Sequence, residues 1–114
     1  SYANILLLSH YGDHVRYIME NGDMVVKQTD MVLPSDKYDR FSLFAMQQSC
    51  ISIQDALYPL DHHQLNTMDP LCISNQWLNH RPALISIHYG KLLVIRIKEN
   101  PMYHRSMQKG DNSI

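Results

Sequence analysis

The chain has little glycine, little cysteine and no long apolar run, and each shortage removes a class of function. Four glycines in 114 residues leave no glycine-rich phosphate cradle: neither the dinucleotide fingerprint nor the P-loop is present. There is no nucleophile elbow and no oxyanion-type glycine cluster to accompany Ser9, Cys50 or Cys72 as a nucleophile. The longest apolar runs, Ile5 to Leu8 and Leu92 to Ile95 among them, fall far short of the roughly 20 residues that span a bilayer as a helix, so no membrane insertion by this segment is expected. Ten Lys and Arg against eleven Asp and Glu, with no dense basic stripe, remove the electrostatic term behind most nucleic-acid affinity. Nucleic acid is not an expected partner.

Two cysteines, Cys50 and Cys72, form one candidate disulfide. A loop of that length would stabilise the fold by roughly 3 kcal/mol in the chain-entropy model. Two reduced thiols acting as small buried hydrophobes fit equally well. The chain starts at Ser1 and not at Met, which leaves a signal peptide or anchor upstream open; an extracytoplasmic site is slightly favoured over a cytoplasmic one.

What is abundant is histidine. With seven histidines the formal charge runs from −1 with all neutral to +6 with all protonated, and histidine is the side chain whose ordinary pKa lies in the mildly acid range. His10, His14, His62, His63, His80 and His88 are the candidate pH-responsive residues. His10, Asp13 and His14, joined by Asp61, His62 and His63, are also candidate metal ligands, because imidazole and carboxylate are the donors zinc takes. Their spacing fits no established zinc motif. No cofactor is expected otherwise.

The hydrophobic pattern predicts a small α+β domain over residues 1–105, with a polar, frayed tail at 106–114. In the first third, Asn4 to Ser9 reads as a strand, and Val15 to Glu20 meets Met24 to Thr29 across the Asn21-Gly22 turn signal. A strict two-residue loop there sets Glu20 against Asp23, so the register is open by one residue. Ser35 reads as an N-cap, with Asp36 in the first turn of the main helix over about residues 36–49. Its apolar stripe would be Tyr38, Phe41, Phe44, Ala45 and Gln48.

Residues 60–82 read as a long loop anchored by Trp77. A second hairpin is predicted from Ala83 to His88 and Lys91 to Glu99 around Tyr89-Gly90, with Ile85, Ile87, Leu92 and Val94 on one face. Arg16, Arg96 and Lys98 read as a solvated strand face. Met19, Met24 and Met31 read as candidates to line an adaptable apolar groove.

With no catalytic constellation in the sequence, the expectation is a non-catalytic accessory, sensory or regulatory domain that binds a protein partner and responds to mild acid. The alternatives are a small metal-dependent enzyme using the His/Asp cluster and a cytoplasmic secretion-chaperone or adaptor-type protein.

Overall fold

The computed structural model describes residues 6–11, 14–67 and 73–99, and among these every regular element is a strand. They are β1 (Leu6–Tyr11), β2 (His14–Met19), β3 (Gly22–Lys27), β4 (Met31–Leu33), β5 (Arg40–Gln54), β6 (Leu60–Leu65), β7 (Ile73–Gln76) and β8 (Ala83–Ile97). All pairings are antiparallel, in the order β1-β2-β3-β8-β5-β6, with β4 added on β8 and β7 on β5. The expected α+β class is therefore corrected to all-β. No helix among the described residues is long and apolar enough to cross a membrane.

Two strands of 15 residues, β5 and β8, hold the architecture together. Residues 40–45 of β5 pair with 92–97 of β8, and residues 50–54 pair with 84–89. Between these stretches the register slips, with Gln47 opposite Lys91 and Cys50 opposite Tyr89. The extra residues on β5 form a bulge, which bends a strand and interrupts its alternation. Opposite the bulge, Gly90 takes φ 108°, a backbone that side-chain-bearing residues avoid, and a Cβ there would overlap Ser49.

Each long strand thus serves two layers. One layer adds β3, β2 and β1 beyond the C-terminal half of β8, and β7 beside β5; the other adds β4 and β6. The layers close on a single buried cluster: Phe41, Leu43, Leu92 and Val94 from the first meet Leu33, Ile51, Ile53, Leu65, Ile85 and Ile87 from the second. Trp77 stitches them, its ring 4.9 Å from that of Phe41 and its indole N–H donating to the Leu33 carbonyl at 2.8 Å.

The predicted helix at 36–49 fails for a visible reason. Asp36 has φ 48°, the turn at Ser35–Tyr38 closes one backbone hydrogen bond of 2.8 Å and goes no further, and Ser35 Oγ donates to the His80 carbonyl instead of capping. In β5, Phe41 and Leu43 are buried while Phe44 points outward. Phe41 and Phe44 therefore lie on opposite faces of a strand, and their helical spacing does not correspond to a shared face.

The predicted second hairpin is likewise one bent strand. Ile85, Ile87, Leu92 and Val94 do share the buried face, because β8 carries one unmatched residue at His88, between Tyr89 opposite Cys50 and Ile87 opposite Ile51, which shifts the side-chain parity. Residues 60–82 are not one loop but include β6 and β7. In the first hairpin Met19 pairs with Gly22 and Ile18 with Asp23, so the turn is Glu20-Asn21 and the two carboxylates avoid each other. The tail at 106–114 lies outside the described residues.

Replacing Gly90 with Ala should destabilise the domain by about 3 kcal/mol in urea denaturation, combining an unfavourable φ with overpacking against Ser49. A loss below about 1 kcal/mol would show that the corner does not depend on this glycine.

Candidate functional site

The strongest electrostatic feature is buried between the layers. Asp23 on β3 is the direct cross-strand partner of Arg96 on β8, with side-chain exposures of 5% and 7%. Arg96 Nε donates to Asp23 Oδ1 at 2.9 Å and Nη2 donates to Oδ2, a two-toothed pairing that is the strongest geometry open to these groups. Arg96 Nη1 also donates to the Pro34 carbonyl at 2.9 Å and to Asp36 Oδ2 at 2.7 Å. The guanidinium lies over the Tyr38 ring at 4.5 Å. Burial by itself would lower the pKa of Arg96, but the hydrogen bonds and charges of Asp23 and Asp36 outweigh it and hold the group above its ordinary value. Arg16 Nε is 2.9 Å from Asp23 Oδ2, yet its N–H is not aligned on that oxygen and donates no hydrogen bond. Its charge faces Asp23 without a directed bond.

This network walls a cleft of about 140 Å³ between β3 and β4, whose other walls include Met24, Val25, Met31, Leu33 and Val94. Two carboxylates and two guanidinium groups balance, so the cleft is apolar with a charge-neutral but strongly polar end. Asp36 is 58% exposed at its rim. The expected methionine-lined groove is realised by Met24 and Met31; Met19 is not among the lining residues. The expectation that Arg96 belongs to a solvated face is corrected, since it is buried.

A second concavity, of about 520 Å³, lies on the outward face of the other layer. Ser52 of β5, His62 of β6 and His88 of β8 converge there. Ser52 Oγ is 2.8 Å from His88 Nε2 and accepts the His62 backbone N–H at 2.9 Å. The His62 and His88 rings stack, 3.9 Å apart and 8° from parallel, and His62 Nδ1 lies 2.6 Å from Asp61 Oδ1.

Of the candidate pH-responsive residues, the structure thus brings His62 and His88 together. His63 is exposed on β6, and His80 is exposed in the turn after β7 with φ 59°. His10 and His14 sit on the β1–β2 hairpin, where their backbones pair with Val15 and Tyr11, and Asp13 lies outside the described residues. Three strands separate β2 from β6 in the sheet order, so the metal set His10, Asp13, His14, Asp61, His62 and His63 is split between two parts of the sheet. Among the described residues no group of three or more metal-ligating side chains converges. Cys50 is buried beside Tyr89 and Gln64 in the ladder, and its candidate disulfide partner Cys72 lies outside the described residues. Ser52, Asp23, Asp36 and Arg96 were not singled out by sequence as site residues. Asp23 and Arg96 are 73 positions apart, and no local pattern joins them.

No protein-family model matches the sequence, and no curated protein matches it. Solved structures do match the fold. It resembles thiamin pyrophosphokinases. The enzyme from Geobacillus thermodenitrificans aligns at TM-score 0.68 and 19% identity over 74% of this chain and 40% of its own. That from Bacillus subtilis aligns at 0.68 and 19% over 78% and 43%. A thiamin pyrophosphokinase family protein from Enterococcus faecalis aligns at 0.63 and 13% over 73% and 39%. The chain spans about two fifths of the length of these structures. At such identities the likeness establishes the fold. The expectation of a non-catalytic sensory or regulatory domain is corrected to this extent: the three structures named above, which share the fold, are thiamin pyrophosphokinases or a protein of that family.

Asp23→Asn should cost about 3–5 kcal/mol in chemical denaturation by leaving the Arg96 charge buried without its partner. The double variant Asp23→Leu with Arg96→Met should recover most of that loss. If the single variant is as stable as the parent, the network is not what joins β3 to β8.

Proposed function

We propose that this chain is the acceptor-binding β portion of a thiamin pyrophosphokinase-like enzyme, and that its cleft between β3 and β4 receives one heteroaromatic ring of the acceptor. The observation that carries this reading is the fold likeness over three quarters of the chain. The chemistry of the cleft is compatible with it. A volume of about 140 Å³ is close to that of apolar protein cavities that take a single benzene-sized ring. One ring of a two-ring molecule fits, and the rest must project past the rim.

The methionines and branched aliphatic residues supply polarizable, apolar walls for ring faces. The Asp36 carboxylate at the rim offers an acceptor to a ring amino group, a donor that the aminopyrimidine of thiamin carries. Pyrophosphoryl handling fits this portion poorly. The described residues hold no glycine-rich cradle, and both arginines of the cleft are occupied by carboxylates, Arg96 by two hydrogen-bonded partners and Arg16 by charge. The proposal therefore assigns this portion recognition of the pyrophosphoryl acceptor.

The single tryptophan of the chain reports on the cleft, since Trp77 donates to the carbonyl of Leu33, a wall residue. Titration with thiamin should give a saturable change in Trp77 emission, matched by heat of binding. Val25→Phe, which fills the cleft, should weaken binding at least about tenfold, or about 1.4 kcal/mol, with the thermal melt preserved. Absence of both signals in the unaltered chain at saturating thiamin would sink the reading.

A further inference from the structure

The Ser52 groove is independent of the acceptor cleft, and its geometry points to a second chemistry. We infer that it is an acyl-transfer site in which Ser52 is the nucleophile and His88 the general base, acting on small carboxylic esters with water as the final acceptor.

A serine hydroxyl has one proton to give. In this scheme the Ser52 hydroxyl donates to His88 Nε2, 2.8 Å away, while its oxygen accepts the His62 backbone N–H and the His88 ring carries its own proton on Nδ1. The hydroxyl is thus aimed at a base while an amide N–H sits on its oxygen. Both contacts favour loss of the proton: the imidazole receives it, and the amide stabilises the negative charge left behind.

His88 is held in orientation by the parallel His62 ring, and His62 is held in turn by Asp61. His62 and Asp61 are positioning residues in this scheme. A structural role for Ser52 accounts for only part of the arrangement. The hydrogen bond from the His62 backbone N–H to Ser52 Oγ ties down the irregular β5–β6 pairing between Ile51 and Ile53, where His62 has φ 48°. That tie requires neither an imidazole on the far side of the serine nor a second imidazole stacked upon it.

The rest of the groove matches the substrate class. Ser86 is the direct cross-strand neighbour of Ser52, and Gln54 lies two residues along the same face; both line the groove and carry donors suited to a developing oxyanion. Pro59 and Leu60 supply an apolar wall. Ser52 as a residue is only 8% exposed, so the site admits small acyl groups such as acetyl and excludes long ones.

In the first step the Ser52 Oγ–carbon bond forms as the hydroxyl proton passes to His88 Nε2. The ester carbon–oxygen bond then breaks as His88 returns that proton to the departing alcohol. Water attacks the acyl-serine by the same relay, releasing the carboxylic acid and restoring Ser52.

Treatment of the unaltered chain with a fluorophosphonate, followed by peptide mass mapping, should place one label per chain on Ser52. Stopped-flow mixing with p-nitrophenyl acetate should release one equivalent of nitrophenol in a burst. Ser52→Ala should abolish both signals, and His88→Gln should slow the burst at least about a hundredfold, with folding checked by melting. His62→Phe, which keeps a stacking ring, should retain most of the burst rate that His62→Ala loses. No label on the unaltered chain, a label on another residue, or a burst that survives Ser52→Ala would each overturn the assignment. Equal losses in the two His62 variants would remove its positioning role.

Discussion

Every layer of this domain hangs from one antiparallel pairing, that of β5 with β8. Each strand is long enough to enter both layers, and each bends where Gly90 faces the bulge around Ser49. Without the bend, two strands of 15 residues would form one extended ladder, and the apolar side chains of its two halves would not face each other. With it, Phe41 and Val94 meet Ile53 and Ile85 in one cluster, and burial of apolar area supplies the main favourable term. Ser49 is drawn into the corner as well, its hydroxyl accepting the Lys91 backbone N–H at 3.1 Å and donating to the Gln47 carbonyl at 2.7 Å. Backbone groups that the bulge removes from the ladder thereby keep partners.

The charges between the layers follow from register. Gly22 must pack its backbone against the Arg96 carbonyl, where a Cβ would overlap, and this close approach fits the β3–β8 alignment that sets Asp23 opposite Arg96. A pair so deeply desolvated adds little net stability compared with an apolar pair, but a lost partner costs heavily. A one-residue slip of β3 would turn Asp23 to the outer face and leave Arg96 buried without it. The ion pair therefore selects the register more than it strengthens the fold.

The sequence was legible where structure is local and misleading where bulges intervene. The first hairpin was readable from Asn21-Gly22 to within one residue, and Trp77 was recognisable as an anchor because a lone indole seldom goes unpacked. In β5 the spacing of Phe41, Phe44, Ala45 and Gln48 suited a helix, yet Phe41 is buried and Phe44 exposed on a regularly paired stretch, so these residues share a face only on a helix and not on the strand they form. Tyr89-Gly90 carries the same chemistry whether the chain reverses or merely bends, and only pairing with β5 separates the two outcomes. Of the candidate site residues, Asp61 and His62 are sequence neighbours and could be suspected together. Ser52 and His88 are 36 positions apart and meet only because β5 and β8 pair beyond the corner.

The cleft and the groove lie on opposite sides of that corner and on opposite faces of the same strand. Val94 and Arg96 point inward from the C-terminal half of β8 and wall the cleft; Ser86 and His88 point outward from its N-terminal half and wall the groove. Side-chain alternation alone would not give this arrangement. Along a regular strand all even-numbered residues share a face, so 86 and 88 would point the same way as 94 and 96. The unmatched residue of β8 at His88, between Tyr89 opposite Cys50 and Ile87 opposite Ile51, changes the parity and separates them, burying Arg96 against Asp23 while leaving His88 to meet Ser52 and His62 outside the core. One unmatched residue beside the Gly90 corner thus lets a single strand furnish an interior apolar cleft and an exterior polar groove.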